Sequence, residues 1–514
     1  MAATLPGYDE IPYESFPITE THPDRLAVIG RLFGLRPPDP SSARMLELGC
    51  AAGGNLLPIA YHLPDTRCTG VELSREQALQ GAERCRLLDL DNAEILHADI
   101  LQLPLDGEPY DYIIAHGVFS WVPTQVQEHI LALCGSRLSS EGIAYISYNT
   151  LPGSRQRSML RDILLHHVRG ITSPRERLAG ARELLAFLAT PMDEPPPGHD
   201  WLKREIEHLR GARDSYLYHE YLEETNEPLL FRDFVDRAAQ HGLQYLADAQ
   251  LHTMFPSTLG AKAEQALARF DDLVAEEQYA DFLRLRPFRC SLLCRDSATL
   301  AREIDLDALP NQPVYTDLAA DGDGVFRNSA GLAFQVESPL LRAVVELLSA
   351  DFPRARSLNE ILPQAVQRAA EAGHKPNTRE TASLPEELFN LFVSGALQAT
   401  QCPRDPVASE RSPGSKPTAS RLARILAEQG EPLIPTPRHQ ALQLDSVAIR
   451  ILALLDGSRD PAAVVEAMIT TAAKDPTLAR ALGGARTDRQ RVKLQASVSG
   501  LLTLLYRHGL LDDF

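Results

Sequence analysis

The 514-residue chain is 44% hydrophobic and 23% charged, ordinary values for globular proteins, and its length suits roughly three domains. A formal charge of −18 opposes general nucleic-acid binding, because a phosphate backbone would be repelled, yet it leaves room for a basic peptide or protein partner. No apolar run reaches the ~18 residues of a membrane span, residues 1–20 lack the apolar core of a signal peptide, and seven scattered cysteines suit a reducing cytoplasm. The expectation is a cytoplasmic protein with no membrane span and no nucleic-acid partner.

From residue 44 onward strand and helix signals alternate. A short apolar strand, Met45-Leu46-Glu47-Leu48, runs into Gly49-Cys50-Ala51-Ala52-Gly53-Gly54, and a helix over 55–62 follows, closed by Leu63-Pro64. A strand over 67–72 ends on Glu72 and is followed by a helix over 75–88. Strands over 93–97 and 110–115, an amphipathic helix over 125–138 and a strand over 142–148 complete an α/β, doubly wound Rossmann-like sheet. In such a sheet the ligand sits at the carboxyl ends of the strands.

Those ends carry the chemistry. Glycines let the backbone approach a ligand where a Cβ would collide, and a carboxylate closing the second strand can accept both ribose hydroxyls. Glu47, two residues before Gly49, would repel a pyrophosphate but suits the ammonium of an amino-acid moiety. The pattern therefore favours S-adenosylmethionine over NAD or FAD. Candidate cofactor contacts are Glu47, Gly49, Cys50, Gly53 and Asn55 on the first turn, Glu72 and Leu73 after the second strand, Asp99 and Ile100 after the third, and His116 and Gly117 after the fourth. Glu72 and Asp99 could otherwise be helix-capping or solvated carboxylates, and His116 a plain loop histidine.

Three stretches carry a family resemblance: Ile113-Ile114-Ala115-His116-Gly117-Val118-Phe119-Ser120-Trp121-Val122-Pro123, Ser147-Tyr148-Asn149-Thr150-Leu151-Pro152-Gly153, and Tyr8-Asp9-Glu10-Ile11-Pro12-Tyr13 with Thr21-His22-Pro23. They resemble bacterial class I methyltransferases that carry a methyltransferase regulatory domain, among them the rickettsial-type protein lysine methyltransferases that act on outer-membrane protein. The likeness covers residues 8–296 well and the rest more loosely. Ala51-Ala52 departs from the glycine-acidic pair frequent in that family, and Gly153-Ser154 from its Gly-Trp. The resemblance implies a protein lysine acceptor; the alternatives are a small-molecule methyltransferase or a non-catalytic cofactor-binding regulatory protein, and in-line methyl transfer from a sulfonium needs no metal. A free lysine side chain titrates at ~10.4 and must shed a proton first, which desolvation by Tyr13, Phe119, Trp121 and Tyr148 would favour. Tyr148, Asn149, His116 and Trp121 are accordingly the candidate catalytic residues, while Tyr8 and Tyr13, in the N-terminal segment 1–43, would close over the cofactor.

The cofactor core then spans 44–153, and a helix-rich stretch over 154–226 is inserted before its last elements, as a lid, a substrate-selecting wall or a homodimer contact. Its Tyr216, Tyr218, His219 and Tyr221 would line a lysine channel or form a helical packing face. The core resumes over 227–297 with a helix over 228–241, a sixth strand over 242–247 and a seventh over 289–294. Cys290 and Cys294 form the only close cysteine pair, with no partner pair for zinc. Helical modules over 298–400 and 421–514, joined by a Pro/Ser-rich linker over 401–420, suggest winged helices suited to docking or dimer support.

Overall fold

A computed structural model describes residues 6–304, 306–328, 331–401, 415–482 and 487–512. The central sheet is built from β1 (Arg44–Leu48), β2 (Arg67–Glu72), β3 (Ala93–His97), β4 (Tyr110–Ala115), β5 (Leu138–Asn149), β6 (Leu243–Asp248) and β7 (Phe288–Arg295) in the order β3-β2-β1-β4-β5-β7-β6. The first five strands are parallel, whereas β7 runs antiparallel to both of its neighbours. β5 starts at Leu138, directly after the helix Thr124–Arg137, and so is longer than the pattern of apolar residues indicates. Two helices unforeseen in the sequence, Ala261–Leu267 and Leu273–Arg284, lie between β6 and β7.

Alternation along the strands divides the core between the two faces of the sheet. Ile143 and Tyr145 of β5 join Met45, Tyr112 and Ile114 on one face, while Ala144, Ile146 and Tyr148 join Leu46, Ile113 and Phe234 on the other. The first of these cores continues without a break into the helix Pro23–Leu32 and into the helices Pro339–Asp351, Leu358–Glu371 and Thr378–Val393. The middle module thus shares the sheet's core.

The inserted helices Arg155–His167, Pro174–Ala189, Asp200–Gly211 and Asp214–Tyr221 form their own core, which captures Ile11 of the N-terminal segment. Beyond residue 415, the helices Arg421–Glu428, Ser446–Ala453, Pro461–Ala472 and Thr487–Arg507 with the hairpin Leu433–Pro435/Ala441–Gln443 form another. Leu88 belongs to that core, so the C-terminal module is seated on the helix Arg75–Leu88. Buried Arg84 of the same helix donates to Gln429 at 2.9 Å and pairs with Glu431. The linker predicted over 401–420 falls largely outside the described residues.

Candidate functional site

The carboxyl ends of the parallel strands bring together the residues singled out above. Gly49 (φ +70°) and Gly53 (φ +76°) turn the chain after β1, and a Cβ on Gly49 would sit 2.5 Å from Val118. Ala51 holds a left-handed φ of +49°, an uncommon state for a residue with a Cβ, and its amide donates to Glu72 Oε2 at 2.8 Å. Glu72 Oε1 accepts from the Ser74 amide at 2.7 Å. Burial raises the Glu72 carboxyl above the usual range, opposed by hydrogen bonds from the backbone amides of Ser74, Ala51 and Leu73.

Glu47 is 4% exposed. Its Oε1 accepts from Asn55 Nδ2 at 2.9 Å, while Oε2 is buried without a hydrogen-bond partner. Burial pushes this carboxyl up to about 8. A lone buried carboxylate oxygen is costly unless a cation or donor meets it, so this atom fits the ammonium of S-adenosylmethionine.

His116 and Gly117 follow β4. His116 Nδ1 lies 2.9 Å from the Tyr145 hydroxyl, and burial lowers the ring to about 4, so the imidazole is neutral at pH 7. Gly117 donates its amide to Ser147 Oγ at 2.8 Å and faces open space, with φ +66°. Asn149 closes β5; its amide N–H donates to Ser120 Oγ at 2.9 Å and its Nδ2 to Asn226 Oδ1 at 3.1 Å. Half-buried Trp121 lies in the short turn Phe119–Trp121. Asp99 Oδ1 caps the turn that begins at Ile100 by accepting from Leu101 N at 3.0 Å, and Asp99, Ile100 and Leu73 are all half-buried at the rim.

The N-terminal segment straps this pocket. Ser15 Oγ accepts from the Gly54 amide at 2.6 Å, and a Cβ on Gly54 would meet the Ser15 carbonyl at 2.2 Å. The Tyr13 carbonyl accepts from Gln77 at 3.0 Å. The Tyr8 ring, tilted, and the Tyr13 ring, edge-on, lie 4.6 and 5.4 Å from the buried His219 ring, and His219 Nε2 lies 2.6 Å from the Ile11 carbonyl. Burial raises both phenols, with Glu72 adding to the effect on Tyr8 and Glu220 on both.

Three expectations need correction. Tyr148 does not face the pocket: its ring stacks on Phe234 at 4.1 Å, its hydroxyl lies 3.0 Å from Ser291 Oγ, and it is 1% exposed. Strand alternation sends it to the opposite face from Tyr145, which is the tyrosine that reaches His116. Cys50 offers no ligand, because its thiol packs against Gly70 and its amide is spent on the Val71 carbonyl at 3.2 Å. Asn55 is engaged by protein groups at both ends of its amide and so orients Glu47. Of the two readings open for the inserted tyrosines, Tyr218 and Tyr221 follow the helical packing face: both are buried among the inserted helices, and Tyr221 is bound to Glu205. Tyr145, Ser15 and Asn226 escaped sequence reasoning because none of them lies in a glycine or acidic motif. The alternation around Tyr148 could have pointed to Tyr145.

Residues 45–142 match the family of methyltransferase domains, 213–295 a predicted methyltransferase regulatory domain and 415–510 the PKMT C-terminal winged helix domain. The chain is 33% identical over 478 residues to the uncharacterized protein RP789 of Rickettsia prowazekii, covering 90% of this chain and 85% of that one. The structure of PKMT2 from Rickettsia typhi superimposes with a TM-score of 0.81 at 27% identity, covering 97% of this chain and all of the other. Its complex with AdoHcy gives 0.82 at 26% identity. S-adenosylmethionine is thus the cofactor. The chain belongs to the bacterial class I S-adenosylmethionine-dependent methyltransferases that carry a methyltransferase regulatory domain and a C-terminal winged helix.

Proposed function

We propose that this methyltransferase delivers its methyl group to lysine side chains of a protein. That is the acceptor class implied by its resemblance to the rickettsial-type protein lysine methyltransferases, and the name of PKMT2 agrees with it. The observation that carries the reading is the aromatic cluster of the strap and the inserted helices, in which the rings of Tyr8 and Tyr13 lie 4.6 and 5.4 Å from that of His219. Aromatic faces of this kind attract a lysine ammonium through cation–π contacts.

Bound S-adenosylmethionine supplies an electrophilic methyl group for in-line displacement. With Nδ2 of Asn149 given to Asn226, its Oδ1 is left to accept an N–H of the incoming amine. Neutral His116, held by Tyr145, and half-buried Trp121 flank the same strand ends and exclude water. Desolvation there lowers the amine's pKa, so that a neutral nucleophile meets the methyl group. Glu47, Gly49, Gly53, Glu72, Leu73, Asp99, Ile100 and Gly117 form the cofactor cradle in this reading, closed by Tyr8 and Tyr13.

The test is incubation of the full chain with radiolabelled S-adenosylmethionine and a bacterial lysate, beginning with its surface-protein fraction. Label should precipitate with protein and appear as methylated lysine after hydrolysis. Label confined to a small extractable product, or to another side chain, overturns the proposal.

A further inference from the structure

The Asn55 amide is held from three directions. Its Oδ1 accepts from the Ile18 amide at 2.9 Å, from the Thr21 hydroxyl at 3.1 Å and from His439 Nε2 at 2.8 Å. Ile18 and Thr21 belong to the N-terminal strap, but His439 arrives from the C-terminal module, 384 residues away in sequence. An oxygen that meets the Ile18 N–H cannot trade places with the amide's own NH2; it makes His439 Nε2 the donor, and Nδ2 is left to donate to Glu47 Oε1 at 2.9 Å. That contact occupies one oxygen of Glu47 and leaves the other for the ligand.

His439 is built into this position. It sits in a tight turn, its amide donating to the Thr436 carbonyl at 2.8 Å, with a left-handed φ of +57° that a residue bearing a Cβ seldom adopts. It is 2% exposed, its ring lies 5.0 Å from that of His22, and its carbonyl accepts from the Thr19 hydroxyl at 3.0 Å. A winged-helix module that served only to dock a partner would have no need to insert a donor beside the cofactor turn.

We propose that His439 is a positioning residue of the S-adenosylmethionine site, acting through Asn55 to hold Glu47 ready for the cofactor's ammonium, so that the C-terminal module completes the cofactor pocket. The proposal rests on the cofactor assignment and is independent of the acceptor. Calorimetry with AdoHcy on the full chain tests it without any methyl acceptor. His439→Phe keeps a ring against His22 and removes the donor; it should weaken AdoHcy about tenfold. In turnover it should raise the KM for S-adenosylmethionine by a similar factor while leaving kcat within about twofold. His439→Gln restores an N–H and should recover most of the affinity. In an Asn55→Ala background, His439→Phe should cost nothing further. Wild-type affinity in a folded His439→Phe protein, or losses that simply add to those of Asn55→Ala, would overturn the proposal. Should His439→Phe fail to fold, hydrogen exchange of the wild-type chain decides: AdoHcy must protect the 436–440 turn together with the 45–55 segment, and protection of 45–55 alone refutes the coupling.

Discussion

Glu47 shows how one atom can disclose a ligand. Its unpartnered Oε2 destabilises the empty pocket and is satisfied only by a donor or cation that the protein does not itself provide. Glu47→Gln should therefore leave the unfolding midpoint of the free protein unchanged or higher, while weakening AdoHcy roughly 10- to 100-fold, since hydrogen bonds to charged groups contribute about 1.5–3 kcal/mol. The protonation behaviour gives an independent check. With the carboxyl raised to about 8, most Glu47 is protonated at pH 7, and an arriving ammonium favours the ionised form. Binding at pH 7 should release close to one proton, visible as buffer-dependent calorimetric enthalpy, and Glu47→Gln should abolish that release. Glu47 stands out in the sequence as a candidate because its spacing from Gly49 is local. Tyr148 was misassigned for a reason of equal simplicity: a tyrosine beside a motif carries no label for the face of the strand it occupies.

At the scale of elements, β7 rather than the glycine turn holds the most heavily invested charge. Arg289 is fully buried, lies over Phe231 at 3.6 Å, and bonds Asp281 at 2.6 Å and Glu277 at 3.0 Å, both carried by the helix Leu273–Arg284. Asp248 of β6 accepts from Arg286 at 3.0 Å beside it. Removing one partner of a buried network strands the others, so Arg289→Met should cost about 3–5 kcal/mol in a denaturant melt. A loss below about 1 kcal/mol would mean that Glu277 and Asp281 take up protons without penalty. The carboxylates that answer Arg289 are 8 and 12 residues earlier in sequence. No short motif links them, and their helix escaped sequence reasoning because its apolar positions do not stand out from its charged ones.

Over the whole molecule, three histidines mark the seam where the N-terminal strap, the helix Leu56–His62 and the C-terminal module meet. Burial lowers His22 and His62 to about 4 and His439 well below its usual value, with Asp24 opposing the shift on His22 and Arg438 reinforcing it. The folded state thus binds fewer protons than the unfolded state, whose histidines titrate at ~6.5. Stability is complete above that value and falls as pH drops through the window from about 6.5 toward about 4. Thermal unfolding followed from pH 7.5 to pH 5 should show a falling midpoint, with hydrogen exchange rising first at the 436–440 turn. A flat profile would mean that the seam opens at no cost. The neutral ring of His116, also lowered to about 4, adds to the same dependence.

The sequence by itself determined the Rossmann-like sheet and the cofactor class, because glycines, strand-end carboxylates and apolar periodicity act over a few residues and leave a local record. Only the tertiary structure decided that β7 runs antiparallel, that Tyr145 and not Tyr148 meets His116, and that the middle module shares the sheet's core. It also seated His439 beside Asn55. Those outcomes depend on which distant surfaces exclude water together, and pairings across hundreds of residues leave no periodicity to read.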